Sequence, residues 1–243
     1  LIYEIASFYI LCIIYFSSGD FMKNYDEERS KKLLKLYTGA ITDIMDSMSS
    51  DFRNQTLPSN LRPLTPNMKI AGPVYTVRGN KRFYEDGKDP RYKQMDMLDG
   101  IFPESIIVMD SGDEKSAAHW GELMSKTSME KGAKGAIIHG GIRDTEEIIK
   151  HNFPVFASYH SPLTAVYRYN IIDFNNPIII GDVKINPGDY ILGDIDGVVC
   201  IPKHIIDEVI DQAEIVKNKE DIVRNELSLG KNIRDLFEKY KVF

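Results

Sequence analysis

Three side chains in a short span could do chemistry together: Glu122, Arg143 and Asp144. Glu122 stands in Gly121-Glu-Leu-Met124, and Arg143-Asp144 closes Gly135-Ala-Ile-Ile-His-Gly-Gly-Ile-Arg-Asp. A guanidinium presents a planar fork of donors that can grip the carboxylate of a small 2-oxo acid in a bidentate, charge-assisted contact. An aspartate is a hard oxygen ligand suited to Mg²⁺ or Mn²⁺. Glu122 could reach the same ion directly or through water. Around Gly121 a helix is expected to open, and free N–H groups at a helix start attract a carboxylate. A glycine there lets a ligand come close to the backbone.

Each of these residues also has a structural reading. Asp144 with Glu147 is a candidate capping box for a helix over 145–151. A glutamate in a first helical turn is favoured by the helix dipole without any metal. Arginines are commonly surface or ion-pair residues. Gly140-Gly141 lacks the lysine pattern of a phosphate-binding loop. His119, His139 and Trp120 read as structural and packing residues. From residue types and spacing alone, the span is a candidate anion and metal site.

The elements that must position it follow from periodicity. Apolar residues at helical spacing cover 26–49, with a break at Thr38-Gly39. A strand over Met68–Val77, interrupted at Gly72-Pro73, precedes a charged loop over 80–91. A short helix over 92–99 and the buried strand Ser105-Ile-Ile-Val-Met109 follow. A helix is expected over Ala117–Lys131, stopped by Gly132. Gly135–His139 reads as a strand leading into a Gly140-Gly141 turn, then the short helix over 145–151 and a strand over Pro154–Tyr159. Closely spaced turns at Gly181, Pro187-Gly188 and Gly193 predict short antiparallel strands over 177–201. An amphipathic helix over 203–227 and a last helix beyond Gly230 end the chain. These elements make one mixed α/β domain over 22–243.

Bulk composition excludes several function classes. Of 243 residues, 43% are hydrophobic and 27% charged, ordinary for a globular protein. The net charge of −6 comes without a long basic run, so no nucleic-acid footprint is expected. Two cysteines give neither a disulfide framework nor metal-ligand spacing, consistent with a reducing, cytoplasmic setting. The five histidines form no His-x-x-x-His pair, which leaves a zinc-protease reading without support. Residues 1–21 form a doubtful extension. The apolar stretch Leu1–Phe16 carries Glu4, lacks a basic leader and is short for a bilayer, so no membrane span is expected. A start at Met22, followed by Lys-Asn-Tyr-Asp-Glu-Glu, is the preferred reading over a signal-like segment.

The run Gly121-Glu-Leu-Met124, its spacing to Gly140-Gly-Ile-Arg-Asp144, and Pro187-Gly-Asp-Tyr-Ile-Leu-Gly-Asp-Ile-Asp-Gly-Val-Val-Cys-Ile-Pro202 resemble the 4-hydroxy-4-methyl-2-oxoglutarate aldolase family. That family also holds the regulator of ribonuclease activity A and proteins once labelled demethylmenaquinone methyltransferase. The resemblance runs from about residue 27 to 205. It implies a swivelling β/β/α domain with mixed sheets and flanking helices, assembled as a homotrimer or homohexamer. It also implies a metal-dependent aldolase that yields pyruvate and decarboxylates oxaloacetate. By the same resemblance Asp144 binds the divalent cation, Arg143 contacts substrate and assists proton transfer, and Gly121, Glu122, Leu123 and Met124 offer backbone amides. Glu122 replaces the usual aspartate that holds metal-bound water, one methylene longer. A further acidic residue is expected from a neighbouring subunit. The alternative within the resemblance is a non-catalytic protein that binds a partner such as a ribonuclease. A methyltransferase is rejected because no strand–Gly-x-Gly–helix nucleotide signature is present.

Overall fold

The structure, a computed structural model, describes residues 26–83, 87, 89–112 and 114–242; the expected extension over 1–21 lies outside the described residues. Its centre is a nine-stranded mixed sheet. Strands β2 (Ile70–Lys81), β3 (Ile106–Asp110), β5 (Gly135–Ile142) and β6 (Val155–His160) run parallel, in the order β6-β5-β3-β2. The antiparallel pair β10 (Tyr190–Asp194) and β11 (Gly197–Ile201) extends the sheet beyond β2, and β1 (Arg62–Pro63) pairs antiparallel with β6 at the other edge. Two strands sit off this path: β4 (Ala118–Trp120) on β5, and β7 (Tyr169–Phe174) on β2. A hairpin, β8 (Ile178–Ile180) with β9 (Val183–Ile185), forms a separate ribbon. The edges approach one another, so the sheet is nearly closed. The segment before β1 bonds to β11, with Leu57 N donating to Val198 O and Cys200 N to Gln55 O, and the Arg62 guanidinium reaches the carbonyls of Ile195 and Asp196.

Helices cover the faces. They are α1 over 26–33, α2 (Thr38–Met48), α3 (Arg91–Asp99), α4 (Glu122–Glu130), α5 (Thr145–Lys150), α6 (Ile206–Ser228) and α7 (Ile233–Tyr240). β3 shows why its sequence is unbroken Ile-Ile-Val-Met: both of its faces are buried, as in other parallel sheets covered on two sides. Ile107 and Met109 pack with Tyr75, Met97, Met124 and Ile148 under α3, α4 and α5. Ile106 and Val108 pack on the opposite face with Ile137, Phe156 and the β8–β9 hairpin. Each such fully buried side chain contributes roughly 1.5–3 kcal/mol. A third cluster joins α1, α2 and α6 to β10 and β11 through Leu33, Ile41, Leu192, Val199 and Val209.

Four elements depart from the sequence expectation, each for a local reason. β2 continues through Gly72-Pro73 to Lys81. Val74 N donates to Asp189 O on the β10 side, so the missing donor of Pro73 faces the β3 side, where the parallel ladder begins only at Val74. Ala118–Trp120 form β4 instead of opening a helix, and α4 starts at Glu122. Gly140 and Gly141 lie within β5, not in a turn. A Cβ on Gly141 would stand 2.4 Å from Ala117 O, so only glycine lets β4 and β5 approach there. The break in the first helical region falls at 34–37. The chain restarts at Thr38, whose N–H and hydroxyl both donate to Asp194 at 2.8 Å. No helix among the described residues is long and apolar enough to cross a membrane.

Candidate active site

The site is built where β5 ends and α4 begins. β4 lies parallel beside the end of β5, with Ala118 opposite Gly141 and Trp120 opposite Ile142. The chain therefore enters α4 at the same end of the sheet at which it leaves β5, the carboxyl end of parallel strands where α/β proteins place ligands. Arg143 N donates to Trp120 O at 3.1 Å and fixes this junction. The sequence left open whether a helix start and a strand end would meet; the short β4 is the connection that brings them together.

Asp144 then turns the chain. Its φ of 57° and ψ of 31° are left-handed, a region that aspartate tolerates better than most residues. The capping-box reading is overturned: Asp144 makes no side-chain cap on α5. Its carboxylate swings instead toward α4, where Oδ2 accepts from Glu122 N at a long 3.4 Å and lies 3.6 Å from Arg143 Nε. A Cβ on Gly121 would meet that Oδ2 at 2.7 Å, so glycine leaves the space the carboxylate occupies. Both charged side chains stay open to solvent, 44% for Arg143 and 47% for Asp144.

Gly121, Leu123, Met124, Arg143 and Asp144 all line one cleft of about 530 Å³. Glu122 is placed differently. Its carboxylate lies 2.8 Å from His151 Nε2 at the end of α5 and is not among the residues lining the cleft. Leu123 is exposed, while Met124 is buried and its Sδ takes the amide of Gln94 at 2.6 Å. The structure thus gathers Gly121, Arg143 and Asp144, and turns the Glu122 side chain toward α5.

Behind the cleft stands a buried pair the sequence reading had not assembled. His119 Nε2 lies 3.0 Å from Glu114 Oε2, though out of line for a hydrogen bond, and its Nδ1 accepts from Gly141 N at 3.1 Å. An acceptor Nδ1 puts the proton of the neutral ring on Nε2, facing the carboxylate. Burial holds the His119 ring below the ordinary histidine range, against the pull of Glu114. Burial acts to raise Glu114, but bonds from the Ser116 hydroxyl and from the amides of Ala117 and Ser116 outweigh it and leave the carboxyl below its usual range. His119, read from the sequence as structural, is buried and also contributes to the lining of the cleft. His139 similarly faces Asp110 at 3.2 Å. The α3 wall, including Arg91 and Gln94, was also missed, because its contact with the cleft comes from tertiary packing and no spacing in the chain reveals it. Glu114 had a visible signal: it lies in the acid-rich run Asp110–Glu114 after a buried strand.

Two further acids of the quoted motif, Asp189 and Asp194, serve the fold. Asp189 accepts from the amides of Asn186 and Lys203, and Asp194 holds α2. The RraA-like family, described as Aldolase/RraA, matches residues 41–200. The chain belongs to the RraA-like family. Among its relatives, "Uncharacterized protein MJ0644" of Methanocaldococcus jannaschii is 32% identical, over 85% of this chain and 98% of that one. A Halalkalibacterium halodurans protein named "Putative 4-hydroxy-4-methyl-2-oxoglutarate aldolase" is 28% identical over 81% of this chain and 86% of its own length. Protein DlpA of Legionella pneumophila is 29% identical over 74% of this chain, which spans only 29% of DlpA.

Solved structures agree on the fold. Streptomyces coelicolor RraAS2, described as an unusual member of the RNase ES inhibitor RraA family, superposes with a TM-score of 0.72 at 19% identity, covering 82% of this chain and 96% of that one. A chain described among novel cellulases from gut-associated microbes gives 0.75 at 35% identity, over 81% and 86%. The mixed α/β class with mixed sheet and flanking helices that the resemblance implied is the fold found, and the sheet is in addition nearly closed.

Proposed function

We propose that this RraA-like protein is a divalent-metal-dependent carbon–carbon lyase. Its substrates would be 2-oxo acids of the 4-hydroxy-4-methyl-2-oxoglutarate type, cleaved to pyruvate, and oxaloacetate, decarboxylated at the same site. The observation that carries the reading is the juxtaposition in one cleft of an exposed guanidinium, an exposed carboxylate and a glycine at a helix start. A relative named for the aldolase supports it.

The residues suit a weakly caged cation. Asp144 offers one open hard-oxygen ligand, and Mg²⁺ commonly takes one or two carboxylates while keeping several waters. Among the described residues no group of three His, Cys, Asp or Glu side chains converges on one point. Asp144 would hold the ion; Glu122 would have to leave His151 to join it. When bound, a divalent cation supplies Lewis-acid stabilisation of developing negative charge. Arg143 grips the substrate carboxylate and orients it, and the N-terminus of α4 adds favourable N–H dipoles. In aldol cleavage the C4 hydroxyl loses its proton and the C3–C4 bond breaks. C4 becomes a carbonyl, and the three-carbon fragment is protonated at C3 to give pyruvate. In decarboxylation CO₂ departs and the same fragment is protonated.

Assembly into a homotrimer or homohexamer is part of this proposal. Tyr92, Leu123 and Tyr167 are exposed on elements that border the cleft and offer apolar surface to another copy. A glycosidase reading, which the cellulase description raises, finds no footing: such chemistry uses two flanking carboxylates, and Asp144 is the one acid among the described residues lining the cleft. The test is a coupled pyruvate assay with oxaloacetate and with 4-hydroxy-4-methyl-2-oxoglutarate, with Mg²⁺ or Mn²⁺ and with EDTA. Pyruvate release that EDTA abolishes is expected. No release from either substrate with metal present would leave the non-catalytic, partner-binding reading in its place.

A further inference from the structure

We infer that His119, oriented by Glu114, is a positioning residue for the 2-oxo acid site: its ring supplies the acceptor that fixes the end of β5, from which Arg143 and Asp144 follow. This rests on the proposed lyase reading and adds to it a residue that serves the site through the backbone. The strand ladder shows why a side chain is needed here. β3 leaves β5 at Asp110, opposite His139, and β4 takes up the pairing only at Gly141. Between Ile138 and Gly141 the register with β6 shifts, three steps along β5 answering two along β6. The register with β4 shifts between Ala118 and Trp120, so His119 has no residue opposite it. A bulge of this kind leaves one residue out of the ladder and re-aims its side chain. The His119 ring turns onto the irregular stretch, and its Nδ1 accepts from Gly141 N at 3.1 Å. Gly140 makes the room, since a Cβ there would stand 2.5 Å from Nδ1. The next tie is Arg143 N to Trp120 O, so consecutive residues of β4 clamp the chain just before Asp144.

The second observation is how the ring is held. Its side chain is fully buried, with Tyr169 edge-on at 4.6 Å between ring centroids. Glu114 Oε2 lies 3.0 Å from Nε2, and the Glu114 carboxylate is itself anchored by the amides of Ser116 and Ala117 at 3.0 and 2.8 Å. A neutral imidazole carries one N–H, and the group beside each nitrogen decides which. The carboxylate keeps the proton on Nε2, so Nδ1 stays an acceptor. As a structural bond the His119–Glu114 pair is poor, because Nε2 is out of line and makes no hydrogen bond, whereas buried polar groups are ordinarily bonded. An apolar side chain would fill the bulge without that cost. What it could not do is receive Gly141 N.

Three measurements on the full chain separate positioning from plain stability. His119→Leu fills the space without an acceptor, and His119→Gln restores one. Without metal, amide hydrogen exchange over 139–144 is expected to quicken in His119→Leu and to return toward the parent in His119→Gln. Turnover of oxaloacetate with Mg²⁺ should fall on the order of 10²-fold in His119→Leu, the scale of a misplacement of about 1 Å, and His119→Gln should recover most of it. Mn²⁺ affinity, read by titration calorimetry, should weaken roughly tenfold in His119→Leu, as when a ligand loses its support. A His119→Leu chain that unfolds at lower urea yet keeps parental exchange over 139–144, turnover and Mn²⁺ affinity overturns the inference and leaves the lyase reading standing. So does a His119→Gln chain that recovers nothing of what His119→Leu loses. If His119→Leu does not fold, Glu114→Gln decides by the same three measurements: faster local exchange and lower turnover are expected, and parental values overturn the inference. A parent that neither releases pyruvate nor binds Mn²⁺ removes the site, and the inference falls with it.

Discussion

Asp144 and Asp194 both follow or end β-strands of the same sheet, yet their surroundings are opposite. Asp194 is 9% exposed and accepts from Thr38 N, the Thr38 hydroxyl and Asp196 N. Asp144 is about half exposed and accepts one long bond at 3.4 Å while its backbone sits in the left-handed region. One carboxylate is fully committed to holding a helix against the sheet. The other is held in place by the chain around it but keeps its oxygens open. The contrast teaches how to separate a structural acid from a candidate ligand: by what remains unsatisfied, since residue type and position at a strand end are shared.

Substituting both separates the two roles. Asp144→Ala is expected to abolish metal-dependent pyruvate release and to cost about 1 kcal/mol of unfolding free energy, set by the left-handed backbone that alanine tolerates less well than aspartate and not by the one weak side-chain bond. Asp194→Ala strands buried donors of Thr38 and should cost about 3 kcal/mol in urea unfolding. Retained turnover in Asp144→Ala, or an unchanged midpoint in Asp194→Ala, would break the comparison.

Arg143→Lys keeps the charge but loses the fork. A loss of turnover on the order of 10²-fold is expected, the scale seen when one positioned donor is removed. Near-normal activity would mean that a point charge suffices at this position. Gly121→Ala sharpens the Asp144 side more finely. Its Cβ would press on Asp144 Oδ2 from 2.7 Å, so the carboxylate must move. Metal affinity, measured by titration with Mn²⁺, should fall roughly tenfold, as for other changes that displace a ligand's support.

The sequence displayed much of this arrangement and hid a definable remainder. Periodicity located β3, β6 and α6 because each buries a regular stripe or an unbroken apolar run. The motif spacing pointed to Arg143 and Asp144. What stayed hidden were tertiary facts: β4 reads like a helix start because Ala117-Ala-His-Trp has no strand period. Gly140-Gly141 reads like a turn because the close approach of Ala117 O is invisible in one dimension. The Glu122–His151 contact joins positions 29 residues apart on two different helices. Asp144 looked like a cap because Glu147 follows at the right spacing, yet its left-handed backbone directs the side chain elsewhere.

The smallest expected effect concerns the pair behind the cleft. His119 titrates below the ordinary histidine value of 6.5 because burial disfavours its charge, while an unfolded chain would protonate it near that value. Between the two values the unfolded state binds more protons, so stability is fully present above about pH 6.5 and declines as pH falls toward the folded value. Glu114 is also depressed and adds its own loss at lower pH, as the medium passes below the ordinary carboxyl value of 4.5. His119→Gln keeps an acceptor for Gly141 N and removes the titration. Its stability should therefore lose the slope just below pH 6.5, at most about 1.4 kcal/mol per pH unit in the parent, and retain the decline below 4.5. Urea midpoints at pH 7.5, 6.0 and 5.0 for parent and variant read the difference. If the parent shows no decline until below pH 5, protonated His119 is accommodated beside Glu114. The pair would then belong with the adaptable chemistry of the Asp144 end and not with the committed structure that Asp194 represents.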